Sequence, residues 1–526
     1  MDKTALDGTP IPPVPDLKIR GSEAATDVGR ARLVLDRLRA DGYDVAHSAA
    51  RGLYLYDDAE GVWDADEARR TIRLTFHQLG AALRAEALAV FADAASESDE
   101  EAQKTLQTRA NRLFGLASKC ERTGSIECGM TEIAALAPSV APDDFDAGHD
   151  FLMAENGIVN LATGDVHEPT RFDLSTQRLS IAYDPDAKAP IWEAFLRQVL
   201  VGEDGVTPDE HLIGYVQRLV GYGITGHTSE QMLVVFHGSG ANGKGVIVDT
   251  LTEIFRSLTQ TASFETFGTS KRDGGSASPD LARLAGARLV FASEGDEGLA
   301  LAEGLVKRLT GQDSMTARFL NHELFEFRPR FLLCLVSNHL PTVRGQDEGV
   351  WRRIKVVPFR RYFAADERDR DLREKLLAER EGILAWAVRG SQAWYAAGKD
   401  LGEPEAVQRV TGSYRASSDR VRDFLLDSVT VTGSPADGIT GKELRGLYVA
   451  WCSAQGERPF GRNALFEKIV GSDRRITKDE SAAAGNRATR FLGLRMPTTV
   501  EEHGLVRDGA RLAVIPSGVS AEEASA

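Results

Sequence analysis

The stretch Phe236–Val246, FHGSGANGKGV, decides how the rest of the chain is read. Gly238, Gly243 and Lys244 fit the spacing G-x-x-x-x-G-K. The run lies between an apolar segment, MLVVF, and a segment of helical character, Val246–Leu258. A strand, a glycine-rich loop and a helix in that order are what a phosphate-binding loop requires. Glycines let backbone N–H groups close around phosphate oxygens, the helix start adds its positive end, and a lysine neutralises the outer phosphates. The spacing therefore nominates Gly238, Ser239, Gly240, Ala241, Asn242, Gly243, Lys244 and Gly245 as an ATP-binding loop. Gly245 stands where a Ser or Thr ordinarily offers Mg2+ a hydroxyl. The metal is then expected on phosphates, water and a carboxylate from elsewhere in the chain.

Three more apolar runs follow: LVFAS (Leu289–Ser293), FLLCLVS (Phe331–Ser337) and IKVVPF (Ile354–Phe359). Separated by helical stretches, they predict an α/β fold with a parallel sheet, whose ligand cleft lies past the carboxyl ends of the strands. Glu294 directly follows LVFAS, with Asp296 and Glu297 close behind. A carboxylate there can hold Mg2+ through water and orient the attacking water. Asn338 ends the next run, where an amide can position that water or sense the γ-phosphate. An isolated Asn before a turn is simply a turn former; register with the two preceding motifs favours the functional reading. Arg352 and Arg353 precede the last run. One of them is expected to act as an arginine finger on a neighbour's nucleotide, a role worth roughly 10³–10⁵ in rate. The choice leans to Arg353.

Composition sets wider bounds. At 526 residues the chain has room for three or four domains of about 100–200 residues each. There is no apolar run long enough to cross a bilayer, and residues 1–22 are polar and proline-rich, unlike a signal peptide. A cytoplasmic location without a membrane partner is expected. The four cysteines form no CxxC pair, which argues against a structural zinc or a disulfide framework. Net charge is −15, from 63 Lys and Arg against 78 Asp and Glu. That disfavours a protein coated in nucleic acid, yet a ring threading one strand needs basic residues only along its channel.

Pattern changes along the chain suggest seven segments: a disordered tail (1–22), a mostly helical lead-in (23–185) and a helical collar (186–230). The ATPase core (231–365) follows, then a helical connector (366–415), a small basic domain (416–497) and a flexible tail (498–526). Within the lead-in, Gly52–Asp66 reads as a hairpin turning near Asp57–Gly61.

The order Lys244, Glu294, Asn338, Arg352/Arg353 within about 110 residues resembles superfamily 3 helicases of the AAA+ class. More specifically it is similar to the helicase half of the phage and plasmid primase family and its poxvirus relatives. ENGIVNLATGDV (Glu155–Val166), YDPDAKAPIWEAFL (Tyr183–Leu196) and GYGITGHTSEQMLVVFHG look like that family's lead-in. LVKRLTGQDSMTARFLNHELFEFRPRF (Leu305–Phe331) resembles the segment that carries its DNA-contacting hairpin. The resemblance implies ATP and Mg2+ as cofactors, a hexameric ring, and single-stranded and forked DNA as partners. A separate primase or initiator is a further possible partner. Lys307, Arg318 and His322 are the candidates for the channel.

TGKELRGLYVAWCSAQGERPFGRNALFEKIV, followed by RRITKDESAAAGNRATRFLGLRM, matches a winged-helix pattern. Residues 440–496 hold eleven Lys and Arg against six Asp and Glu, opposite in sign to the whole chain. Arg462 and Lys468 would lie on a recognition helix, with Arg474, Arg475, Arg487 and Arg490 along the wing. Many relatives add a primase domain with paired aspartates and a histidine. Asp144, Asp146 and His149 in DDFDAGHD offer those residue types, but only about 140 residues precede them, too few for a polymerising domain plus the lead-in. The expected function is ATP-driven DNA unwinding. A non-translocating AAA+ switch or loader, and a primase–helicase, are the alternatives.

Overall fold

A computed structural model describes residues 25–49, 52–269, 279–293, 300–318, 324–343, 345, 347–455, 459–479, 489–496, 505–508 and 511–514. Glu294, Asp296, Glu297, His322 and Arg487, the tail 1–22 and most of 498–526 lie outside the described residues. The chain divides into two compact units, Met1–Val410 and Thr411–Ala526.

A five-stranded parallel sheet organises the first unit. Its strands are β1 (Leu233–His237), β2 (Thr259–Ser263), β3 (Leu289–Ser293), β4 (Leu332–Ser337) and β5 (Ile354–Pro358), in the spatial order β5-β1-β4-β3-β2. β1 lies between β5 and β4, pairing Leu233 with Ile354 on one side and with Leu333 on the other. β1, β3 and β4 read as apolar runs because both of their faces are buried, and β5, at one edge, is apolar apart from Lys355. β2, TQTAS, gives no such signal. It is an edge strand of alternating exposure, and its polar side chains escape the sequence pattern.

The helix after β1 spans Lys244–Ile254 rather than the expected Val246–Leu258. Gly243, with φ 87°, turns the chain so that Lys244 is already helical, and Arg256–Leu258 is a separate 3-10 turn. Helices Pro190–Val199, Glu210–Thr225 and Arg380–Ala396 share the core of the sheet through Trp192, Tyr215, Tyr222, Trp386 and Trp394.

Ahead of the sheet, helices Asp27–Ala40, Asp66–Ser96, Glu100–Glu121 and Thr123–Leu136 bury Leu35, Ile72, Phe76, Leu83 and Leu113 together. The expected hairpin forms from Gly52–Asp57 and Val62–Asp64, and a further strand, Tyr43–Ser48, joins it. That added strand is hard to read because Asp44 interrupts its apolar pattern. The Asp44 side chain is 1% exposed and ion-paired with Arg171 at 3.1 Å, as a buried carboxylate must be.

The second unit packs helices Arg420–Ser428, Gly441–Ala454 and Arg462–Ser472 around Phe424, Tyr448, Trp451 and Phe466. Strands Gly438–Thr440, Arg490–Leu492 and Thr477–Asp479 form an antiparallel sheet with Arg490–Leu492 in the middle. Thr440 caps the helix Gly441–Ala454 through a reciprocal pair of hydrogen bonds with Glu443. Among the described residues, no helix is long and apolar enough to cross a membrane.

Candidate functional site

The loop between β1 and its helix is fixed by sterics. A Cβ on Gly238 would lie 2.3 Å from the Phe359 carbonyl oxygen, and one on Gly243 would lie 2.4 Å from Val199 Cγ1. Gly240 and Gly243 adopt φ 87°, a conformation that favours glycine. The segment after β5 clasps the loop: Phe359 N–H donates to His237 O at 2.7 Å and Phe363 N–H to Ala241 O at 2.8 Å. Asn242 is 3% exposed, and its amide reaches the Phe359 carbonyl at 3.5 Å.

Lys244, the first helical residue, is 5% exposed. Its Nζ donates to the Gly238 carbonyl and, at 3.1 Å, to Asn338 Oδ1. Asn338 follows β4, the neighbour of β1, so adjacent strand ends bring the two side chains together. A buried ammonium beside a helix N-terminus suits a polyphosphate. Gly245 is exposed, with nothing within 4 Å of a Cβ built there. Among the described residues no group of three or more His, Cys, Asp or Glu could hold a metal ion. The carboxylate expected to serve Mg2+, Glu294, follows β3 outside the described residues.

Arg352 and Arg353 lie at the opposite end of the strands, where β5 and β1 begin. The Arg353 carbonyl accepts from Leu233 N–H at 2.8 Å, beside the start of β1. Five strand residues separate this end from the loop, a distance of about 16 Å. Gln231 Oε1 accepts from Arg352 at 2.9 Å and from Arg353 at 3.0 Å. Arg353 is 8% exposed and also donates to the Gly349 carbonyl, whereas Arg352 is exposed. Burial, and then the Arg352 charge, lower the Arg353 pKa. Gln231 was missed in the sequence. Its one structural mark is a left-handed φ of 48°, which composition cannot signal.

Comparison with known proteins bears on this arrangement. Residues 31–201 match the family described as D5 N terminal like, and residues 236–353 match a family of unknown function (DUF5906). "Putative helicase L207/L206" of Acanthamoeba polyphaga mimivirus is 27% identical over 322 residues, covering 57% of this chain and 33% of that protein. "Putative helicase 022R" of Frog virus 3 is 26% identical over 295 residues, covering 51% of this chain and 29% of its own length. The D5 N terminal like segment and the putative viral helicases together are consistent with the phage and viral primase-family helicases. The chain spans about a third of the length of the curated relatives it matches. The apo C-terminal region of NrS-1 aligns over 88% of this chain and 99% of its own at 12% identity, with a TM-score of 0.47.

The other candidates are scattered over both units. In the first unit, strands Met315–Ala317 and Phe325–Phe327 pair antiparallel as a hairpin. Arg318, at the turn end of the first hairpin strand, is exposed, while Lys307, on the preceding helix Glu303–Leu309, is ion-paired with Asp347. In the second unit, Arg462 opens the helix Arg462–Ser472 with its guanidinium 5.4 Å from the Phe466 ring, and Lys468 Nζ lies 5.1 Å from the Phe460 ring. Arg474 and Arg475 occupy a turn before the strand Thr477–Asp479. Arg474 is exposed, but Arg475 is held by Asp473 at 2.7 Å and keeps that carboxyl at about 2. Arg490, on the central strand, donates to the Gly438 carbonyl at 3.3 Å.

Asp144, Asp146 and His149 do not converge. Asp144 ends a 3-10 turn and is exposed. The Asp146 carboxylate accepts from the Thr176 N–H at 2.7 Å and from the Thr176 hydroxyl, and Arg330 donates to its carbonyl at 2.9 Å. His149 packs on His227, ring centroids 5.0 Å apart. Burial, then the charges of Arg330, His227 and Arg288, pull its pKa down to about 4. Next to it, Asp150 accepts hydrogen bonds from Tyr395 and, at 2.9 Å, from His227. Burial raises the Asp150 pKa, and these bonds outweigh burial to lower it. The segment ties the lead-in to the sheet domain, through partners far away in sequence.

Proposed function

We propose that this chain is an ATP-driven DNA helicase of the superfamily 3, AAA+ type, working as a ring that is most simply hexameric. The observation that carries the reading is the placement of Lys244 and Asn338 past the carboxyl ends of β1 and β4 and of Arg352/Arg353 at the amino ends of β5 and β1. The first pair suits one chain's own nucleotide. The second pair, about 16 Å away along the strand direction, suits the nucleotide of a neighbouring copy, which makes the site complete only between subunits.

In this mechanism the loop Gly238–Gly245 binds the phosphates of ATP through backbone N–H groups and Lys244. Asn338 trades its bond to Lys244 for one to the attacking water or γ-phosphate. Glu294 is proposed to orient that water and to hold Mg2+ through water. The metal would neutralise charge developing on the phosphates. Of the two arginines Arg352 is the better finger, because Arg353 is buried and held at both ends by its own chain. Coupling to DNA is assigned to the hairpin Met315–Phe327 with Arg318, His322 and Lys307. The second unit is read as a winged helix, presenting Arg462, Lys468 and Arg474 to duplex DNA. Its three helices and small antiparallel sheet support that reading. The segment boundaries given above are kept as part of this proposal.

A fold does not specify its track, so the test must include DNA. ATP hydrolysis is measured with and without single-stranded DNA, beside unwinding of a forked duplex, for wild type and Lys244→Ala. Unwinding that vanishes in Lys244→Ala supports the helicase. Hydrolysis that DNA neither stimulates nor couples to strand separation overturns it in favour of a switch or loader.

A further inference from the structure

The helix Asp66–Ser96 buries one face and exposes the other. Ile72, Phe76, Leu79, Leu83 and Val90 point into the helical core. On the outer face Leu74, Leu88 and Phe91 are 49%, 58% and 49% exposed. The outward positions Leu74, Gln78, Ala81, Ala85, Leu88 and Ala92, all exposed, alternate steps of four and three residues. That is the spacing of a coiled-coil seam. No charged residue falls on it over about 27 Å of helix, where a merely solvated face would carry charge.

Two features choose the occupant. The seam is centred on residue 83, so an antiparallel copy sets Leu74 against Ala92, Gln78 against Leu88 and Ala81 against Ala85. Large then meets small at the ends, and alanines at the centre let the backbones approach to about 8 Å. Charge is arranged head to tail as well. After an acidic first turn, Asp66 and Glu67, the start of the helix carries Arg69, Arg70 and Arg73, while Asp93 and Glu97 flank its end. The antiparallel copy sets Arg73 level with Asp93 and Arg69 level with Glu97, whereas a parallel copy sets like against like. Arg69 and Arg70 keep 67% and 72% of their side chains exposed despite local partners. Arg84, near the centre, is tied to Glu121 of its own chain at 2.6 Å.

We infer that a second copy of this chain docks on this face, the two Asp66–Ser96 helices pairing antiparallel about a two-fold axis beside Ala81 and Ala85. A two-fold contact closes after two chains and does not build a ring. It would be additional to ring contacts and join chains of separate rings, and it does not depend on the helicase reading.

The test uses the full chain with the exposed Cys128 replaced (Cys128→Ser). Leu74→Cys and Ala92→Cys are made separately and together by co-expression, and treated with a short bismaleimide. The pairing predicts cross-linked dimer in the co-expressed sample and none in either variant alone, and loss of that product when Leu88→Asp is added. Leu74→Cys cross-linking to itself would mean a parallel pair and overturn the proposal. So would absence of the mixed product, whether the cysteines label freely with monomaleimide (an open face) or are protected from it (a different occupant). Circular dichroism of Leu88→Asp separates loss of pairing from loss of fold.

Discussion

Lys244 Nζ lies 3.1 Å from Asn338 Oδ1, a contact between residues 94 positions apart. It exists because β1 and β4 are neighbours although β2 and β3 intervene in sequence. The bond fixes a buried ammonium before any phosphate is bound, and it points the amide into the loop.

Replacing Asn338 with Leu keeps the volume and removes the acceptor. Hydrolysis should fall about 10²-fold, the usual loss for one polar group that acts on a developing charge. Nucleotide affinity should change by only a few fold, since Lys244 keeps the Gly238 carbonyl as a partner. Steady-state hydrolysis beside equilibrium binding of a fluorescent ATP analogue makes the comparison. Equal losses in both would assign Asn338 to binding rather than to the chemical step.

The two arginines should separate cleanly. Arg353→Ala removes a buried side chain with two partners in its own chain, and should lower the thermal midpoint of the first unit. Arg352→Ala removes an exposed one and should leave the midpoint nearly unchanged while hydrolysis falls roughly 10³-fold. Mixing Arg352→Ala with Lys244→Ala should restore part of the activity, because mixed assemblies contain interfaces with an intact loop facing an intact arginine. If mixing restores nothing while the two variants assemble together, Arg352 does not act across subunits.

How far the sequence could be read followed burial. Strands β1, β3 and β4 are apolar on both faces and β5 is so apart from Lys355, so LVVF, LVFAS, FLLCLVS and IKVVPF announce themselves. The loop was legible because glycine is needed where Phe359 and Val199 crowd it, and a lysine must follow. β2 was not legible, since an edge strand such as TQTAS has no need of a continuous apolar run. Nor were Gln231, Arg171 or Tyr395, whose partners lie 121, 127 and 245 positions away. A polar side chain satisfied at that range leaves no local pattern, and only the folded chain shows what it holds.

Gly245 offers a gain-of-function test. Nothing lies within 4 Å of a Cβ built there, so Gly245→Ser fits without rearrangement. Exchanging a helical glycine should raise stability by a few tenths of a kcal/mol, up to about 0.5 kcal/mol. The new hydroxyl stands at the position that ordinarily serves Mg2+. The Mg2+ concentration giving half-maximal hydrolysis should therefore fall. A titration identical to wild type would mean that the metal lies elsewhere in the site.

Among the basic residues of the second unit, availability should decide the effect on DNA binding. Lys468→Ala and Arg474→Ala should each weaken duplex binding and reduce the slope of log K against log[salt] by about one. Arg475 is committed to Asp473 at 2.7 Å, so Arg475→Ala should change both quantities less. Binding isotherms at four salt concentrations would show it. Slopes unchanged from wild type in all three variants would exclude this face from phosphate contact.

His149 makes stability depend on pH in a stated direction. Its folded-state pKa is held near 4, below the ordinary value of 6.5, first by burial and then by Arg330, His227 and Arg288. Between these two values the unfolded chain takes up a proton that the folded chain refuses. The contribution of His149 to stability is therefore complete above pH 6.5 and is lost progressively as pH falls toward 4. Because the ring is only half buried, the effect is a moderate slope rather than a collapse. His149→Phe keeps a ring to pack on His227 and removes the titration. Thermal midpoints of the first unit from pH 7 to pH 4 should fall less steeply in His149→Phe than in wild type. Parallel curves would shift responsibility for the acid response to the neighbouring carboxylate, Asp150, whose pKa is lowered.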